Sequence, residues 1–185
     1  QFKRTYSNKY PTLTDSNNSK FWNQKNIHEH VPLVNNPMAN ERVKLIANYL
    51  EKDNYRKILN IGFGSGDLEA QIVDSTQKFN WTGIDISSDS VRNSKNKFVK
   101  FKFYCADILK FKIPELYDTI IMSEVMEHIQ PQEIFQVLNK VRNALHKNGV
   151  LIVSVPLNEG LENMINVKSN PNAHLRVYTP MIIKT

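Results

Sequence analysis

Residues Lys57–Gln71 read KILNIGFGSGDLEAQ: an apolar strand pattern, then Gly62-x-Gly64-x-Gly66, then a helical pattern. Three alternating glycines lack Cβ atoms, so backbone N–H groups can approach a ligand and the chain can turn sharply into a helix N-terminus. The spacing also narrows the ligand. A dinucleotide turn would read G-x-G-x-x-G, but the sixth position from Gly62 is Asp67 and the third glycine falls one residue early, which argues against NAD. A second apolar run, Trp81–Ile86 (WTGIDI), carries Asp85 near the roughly 20-residue offset at which a βαβ unit sets a carboxylate on ribose hydroxyls. A ribose-bearing ligand is implied.

Working outward, strand patterns fall at 57–61, 81–86, 101–105, 117–123 and 149–155, with helical patterns at 66–77, 88–97 and 131–146. Pro37–Leu50 places Val43, Ile46, Ala47 and Leu50 at helical spacing, so an amphipathic helix precedes the first strand. Alternation of this kind predicts an α/β fold, a Rossmann-like doubly wound and mostly parallel sheet with ligands at the carboxyl ends of its strands. Gly62, Asp85, Asp107 and Ser123 all stand at such ends. Residues 1–30 are polar and rich in Asn, Ser and Lys, and read as an irregular arm before one domain over 31–185.

Taken in order, these segments resemble the class I S-adenosylmethionine (SAM)-dependent methyltransferases. ILNIGFGSG is similar to the family's glycine-rich first motif, GIDIS to its ribose-binding acidic motif and CADI (Cys105–Ile108) to its adenine-contacting motif. YDTIIMSEVMEHI (Tyr117–Ile129) resembles the fourth strand with the loop after it, and LHKNGVLIVSVP (Leu145–Pro156) the fifth strand. The likeness covers roughly residues 40–180. It implies SAM as cofactor, held by Asn60, Gly62, Gly64, Gly66, Asp85 and Ile86, together with Asp107, Ile108 and Ser123. Asp85 would take the ribose hydroxyls, Asp107 the adenine amino group, and Ile86 the ring face. Asn60 departs from the family, which usually carries Asp or Glu there; its amide oxygen still accepts a hydrogen bond but brings no charge. A complete family fold would continue past Thr185 through another helix and two strands, so the C-terminal strands are expected to be missing.

Methyl transfer from a sulfonium is an in-line displacement, and a general base is needed only when the acceptor is protonated. Glu124, Glu127 and His128 follow the fourth strand at spacings that bring them onto one turn, and His174 opens the segment HLRVYTP. Glu124, His128 and His174 are the catalytic candidates, with Arg176 and Tyr178 as acceptor-binding residues near the pocket mouth. Family members often use the residues after the first Glu to cap and orient the next helix, the role expected of Glu127 and His128. A cation site from the same residues would resemble small-RNA 3′-terminal 2′-O-methyltransferases. The segment around His174 does not match that group's second histidine motif, so no metal is assigned. HLRVYTP is closer to the type 11/12 small-molecule and glycan methyltransferases. His28 and His30 read as surface histidines of an arm that can close over the site, and His146 as a helix cap.

Composition bounds the remainder. With 185 residues, 41% hydrophobic and 23% charged, the chain is long enough for one packed core, and no apolar run nears the roughly 18 residues of a membrane span. No secretory signal is visible, which makes the cytoplasm the expected location. Cys105 is the only cysteine, excluding an internal disulfide, and reads as a small buried hydrophobe. The net charge of +6 is compatible with a polyanion, but Lys100–Phe103 alternates strictly, as in a half-buried strand whose lysines face water. The expected activity is methyl transfer to an oxygen or nitrogen of a small-molecule or glycan-like acceptor. An RNA 2′-O-methyltransferase and a non-catalytic SAM-binding module stay open as alternatives.

Overall fold

The computed structural model describes residues 17–28, 30–52, 57–73, 79–166 and 173–179. Five parallel strands form one sheet in the order β3-β2-β1-β4-β5: β1 Lys57–Ile61, β2 Asn80–Asp85, β3 Lys102–Cys105, β4 Tyr117–Ser123 and β5 Leu145–Ser154. The order reverses between β1 and β4, which puts the topological switch point at the carboxyl end of β1, where the glycine loop begins.

Central strands buried on both faces read as continuous apolar runs, and their alternate residues feed two separate cores. Ile58 and Ile121 point to one side, packing with Val43, Ile46 and Leu50 of helix α2 (Pro37–Lys52) and Leu68 and Ile72 of α3 (Asp67–Ile72). Leu59, Ile120 and Met122 point to the other, against Ile134, Val137 and Val141 of α5 (Ile134–Ala144). Helix α4 (Ser88–Lys97) returns from β2 to β3, with the Ser87 hydroxyl accepting from Ser90 N at 3.1 Å as its N-cap. The chain then runs through α6 (Leu161–Asn166) to a single parallel bridge between Leu157 and Tyr178. No described helix is long and apolar enough to cross a membrane.

Four expectations change. Residues Ser19–His28 of the supposed irregular arm form a helix, α1. Cys105 is exposed because β3 is an edge strand and its residues past Phe103 leave the core, although Phe101 and Phe103 are buried and Lys102 exposed as the alternation predicts. His146 caps nothing: Leu145 N closes α5 onto Arg142 O, and His146 stands half exposed with Nε2 4.0 Å from Asp118 Oδ1. The fifth strand begins at Leu145 because Tyr117 pairs with Leu145 and Thr119 with Val150, so the Lys147-Asn148-Gly149 turn bulges out of the ladder. The end of the predicted helix 66–77 lies outside the described residues.

Candidate functional site

One cavity of about 720 Å³ opens along the carboxyl ends of β1, β2 and β4. That is the size of a pocket for a drug-sized ligand. Gly62, Gly64, Asp85, Ile86, Asp107 and Ile108 line one part of it, and Ser123, Glu124, Glu127, His128 and His174 line another. Asn60 also lines it.

At the cofactor-like end the three glycines have different roles. All have left-handed φ, +71°, +59° and +79° for Gly62, Gly64 and Gly66, a conformation that costs other residues strain. A Cβ on Gly64 would meet only Asn26 Oδ1 at 4.0 Å, so its backbone borders open space. A Cβ on Gly66 would strike Phe98 at 2.9 Å, and Gly66 is not among the cavity-lining residues. Gly66 therefore serves the turn into α3 rather than the ligand wall expected of it.

Asp85 is buried, with Gly64 N donating to Oδ2 and Ser87 N to Oδ1, each at 2.8 Å. Burial raises its pKa to about 6, moderated by those N–H groups. Each carboxylate oxygen has a second lone pair with which to accept from a ligand hydroxyl. Asp107 Oδ1 accepts from Leu109 N at 2.9 Å, and Lys140 Nζ of α5 donates to the carbonyls of Ile108, Leu109 and Phe111 at 2.7–3.0 Å, fixing the loop that carries Asp107.

Asn60 has a partner that the sequence does not announce. Its Nδ2 donates to Glu69 Oε1 at 2.9 Å, and Trp81 Nε1 donates to the same oxygen at 3.0 Å. Glu69 is fully buried on α3, and desolvation pushes its pKa up to about 7. With Nδ2 tied to Glu69, the Asn60 side chain presents its carbonyl as an acceptor.

At the other end Glu124 takes φ +57°, uncommon for a residue with a Cβ. Ser154 holds it on both sides: Glu124 N donates to Ser154 O at 2.9 Å and Ser154 Oγ donates to Glu124 Oε1 at 3.0 Å. Arg42 Nη1 of α2 lies 3.7 Å from Glu124 Oε2. Glu127 is fully buried in the 3₁₀ turn Met126–His128, and neither carboxylate oxygen has a hydrogen-bond partner among the described residues. Burial, then the charges of Glu124 and Glu159, raise its pKa to about 8. Burial and the neighbouring His174 lower that of His128 to about 3. His128 and His174 stack edge-on with ring centroids 5.0 Å apart, and His174 Nδ1 lies 2.6 Å from Glu159 Oε2.

Arg176 and Tyr178 do not fill the acceptor-binding role expected of them. Both are buried and neither lines the cavity. Arg176 Nη2 donates to Ile129 O at 2.7 Å, its guanidinium lies 5.7 Å from the Tyr178 ring, and Tyr178 bridges to Leu157. His174 reaches the cavity wall, whereas Arg176, two residues on, staples the segment to the β4 loop through Ile129 O.

Helix α1 roofs the site. Asn23 Oδ1 accepts from Ser87 Oγ at 2.8 Å, Asn26 Nδ2 donates to Ser90 Oγ at 3.0 Å, and Trp22 packs edge-on against His128 with centroids 4.7 Å apart. Asn17 Nδ2, just before the helix, donates to Ala173 O at 2.9 Å. His30 Nε2 lies 3.1 Å from Asp67 Oδ2, tying the following loop to α3; the His28 side chain lies outside the described residues. Apart from Trp22 these contacts are polar, and α1 carries no apolar period by which sequence could have placed it.

A family profile described as a methyltransferase domain matches residues 58–149, about half the chain. A ubiquinone biosynthesis O-methyltransferase of Rickettsia typhi (strain ATCC VR-144 / Wilmington) is 32% identical over 119 residues, covering 62% of this chain and 45% of that protein. The chain thus spans about half the length of the curated relatives it matches. Among solved structures, the plantazolicin methyltransferase BpumL in complex with a triazolic desmethylPZN analog and SAH superposes with a TM-score of 0.68 at 16% identity, covering 97% of this chain and 75% of that one. The N-methyltransferase NodS from Bradyrhizobium japonicum WM9, in complex with S-adenosyl-L-homocysteine, gives 0.58 at 21% identity over 80% and 72%. With the glycine loop at the sheet's switch point, the buried acid after β2 and the matched methyltransferase domain, the chain belongs to the class I SAM-dependent methyltransferases.

Proposed function

We propose that this protein transfers a methyl group from SAM to an oxygen or nitrogen of a small-molecule or glycan-like acceptor. The observation that carries this reading is that one cavity joins a cofactor-like end, made by Gly64, Asp85 and Asp107, to an end bearing Glu124, His128 and His174. In this reading Asp85 accepts from the ribose hydroxyls, Asp107 from the adenine amino group, and Ile86 and Ile108 pack on the base. Asn60 Oδ1 accepts from the cofactor's ammonium group. SAM supplies the electrophilic methyl.

The chain's part in the chemistry is positioning and proton handling. Arg42 and Ser154 fix the Glu124 carboxylate, which takes the proton of a hydroxyl or ammonium acceptor. His128 and His174 contact the acceptor, and α1 excludes water from above.

SAM binding by calorimetry, followed by S-adenosylhomocysteine release over a panel of phenols, catechols, amino sugars and amines, tests the reading. Glu124→Gln should lower kcat while SAM affinity stays near wild type. Absence of SAM binding at millimolar cofactor, or a Glu124→Gln enzyme with unchanged turnover, would overturn it.

A further inference from the structure

We propose that Glu69 is a positioning residue for the amino-acid end of SAM. Acting through the Asn60 amide, it turns an acceptor oxygen toward the cofactor's ammonium group and supplies from behind the negative charge that Asn60 lacks. This rests on the methyltransferase reading and extends it to a residue behind the cavity wall: Asn60 lines the cavity, whereas Glu69 is fully buried and does not.

The geometry sets the sense of the amide. Asn60 Nδ2 of β1 donates to Glu69 Oε1 of α3 at 2.9 Å, and Trp81 Nε1 of β2 donates to the same oxygen at 3.0 Å. An indole N–H can only donate, so Oε1 is an acceptor whether or not Oε2 carries a proton. Asn60 must therefore offer this oxygen its NH₂, and its carbonyl is kept for the ligand. An asparagine without such a partner could present either end.

Charge is the second argument. Accepting from one indole and one amide does not require a carboxylate, because a glutamine carbonyl would serve both donors without bringing a charge into the core. Glu69 Oε2 has no partner among the described residues, and the nearby charge of Asp85 is of like sign and adds to the cost. An ammonium bound at Asn60 Oδ1 would stand one amide away from this carboxylate and offset it. Burial raises the pKa of Glu69 to about 7, so a cation arriving at Asn60 favours its ionised form. Ammonium to Oδ1 and Nδ2 to Oε1 make a chain of hydrogen bonds in which each polarises the next.

The test compares SAM with 5′-deoxy-5′-methylthioadenosine, which carries the same adenosine and sulfur but no amino-acid part. Both are titrated into the full chain at pH 7.5 by calorimetry, and circular dichroism checks that each variant is folded. Glu69→Leu, which frees the Asn60 amide and removes the charge, should weaken SAM roughly 10–100-fold, the worth of a hydrogen bond to a charged group. Glu69→Gln keeps the acceptor oxygen and loses only the charge, so its effect on SAM should be smaller. Neither should change methylthioadenosine affinity by more than about twofold, because its contacts with Asp85 and Asp107 are untouched. The double variant Asn60→Asp/Glu69→Gln moves the carboxylate to the cavity wall, with the glutamine amide donating to it, and should bind SAM more tightly than Glu69→Gln alone. A general loosening of the fold would weaken both ligands and would not be rescued by that exchange. Should Glu69→Leu not fold, Glu69→Gln and the double variant decide. An unchanged ratio of SAM to methylthioadenosine affinity in the Glu69 variants, or a double variant no better than Glu69→Gln, overturns the role of Glu69 alone. A wild type that binds neither ligand overturns the cofactor reading and this inference with it.

Discussion

Replacing Glu69 by Gln isolates the effect of burying one charge beneath the cofactor wall. The carboxyl is fully buried, accepts from Asn60 and Trp81, and has its pKa raised from 4.5 to about 7, chiefly by desolvation. A folded-state pKa above the unfolded value means that the native state binds the proton more tightly. Its stabilising contribution is therefore complete below about pH 4.5 and is lost as pH rises through 7. At about 1.36 kcal/mol per unit, the loss between pH 4 and pH 8.5 is about 3 kcal/mol. Gln keeps an oxygen for Asn60 and Trp81 and does not titrate, so it escapes that loss. It also puts an amide NH₂ where Oε2 has no partner among the described residues, a pH-independent cost of roughly 1–3 kcal/mol. Glu69→Gln should therefore be less stable than wild type near pH 4, and its difference from wild type should shift in its favour by about 3 kcal/mol by pH 8.5. Urea unfolding followed by tryptophan fluorescence across this range measures the shift. A difference constant to within about 1 kcal/mol would show that Glu69 titrates normally and refute the buried-charge argument.

Other predictions concern the cavity wall and its supports. Asp85→Ala should weaken SAM binding by about 1.5–3 kcal/mol in calorimetry, the worth of hydrogen bonds to a charged group; unchanged affinity would remove Asp85 from the ribose. Gly64→Val should abolish SAM binding in a folded protein, because its side chain enters open space beside the cradle, whereas Gly66→Ala should chiefly lower the melting temperature through its clash with Phe98. Equal effects of the two on SAM affinity would contradict this division. Arg176→Met should destabilise the chain by roughly 1–3 kcal/mol by leaving the buried Ile129 O without this donor, with SAM affinity unchanged at temperatures where it folds. Loss of SAM affinity in the folded variant would place Arg176 in the site after all.

Local pattern was enough to read the sheet. Period-two and continuous apolar runs identify β1, β2 and β4 because strands buried on both faces need apolar side chains at every position, and a glycine triplet after β1 marks the ligand loop because only glycine takes three positive φ values cheaply. Asp85, Asp107, Ser123 and Glu124 were legible for the same reason: ligands collect at the carboxyl ends of parallel strands, so their place in the order predicts their place in space. Cys105 misled because apolar neighbours do not distinguish an edge strand from a central one; strand order decides that. Arg176 and Tyr178 misled because polar type suggests a mouth position, whereas burial depends on which neighbour accepts the hydrogen bond, here Ile129 O from the other side of the chain.

By itself the sequence determined the alternating fold and the carboxyl-edge residues, since each depends on periodicity or spacing within one segment, and its ordered motifs carried the cofactor class through their resemblance to the class I methyltransferases. Only the tertiary structure decided that Glu69 stands behind Asn60, that α1 closes over the cavity through Asn23 and Trp22, and that Glu127, His128 and His174 converge. Those arrangements are contacts between segments distant in the chain, made by polar groups whose partners depend on three-dimensional distance, and no local pattern in the sequence encodes that distance.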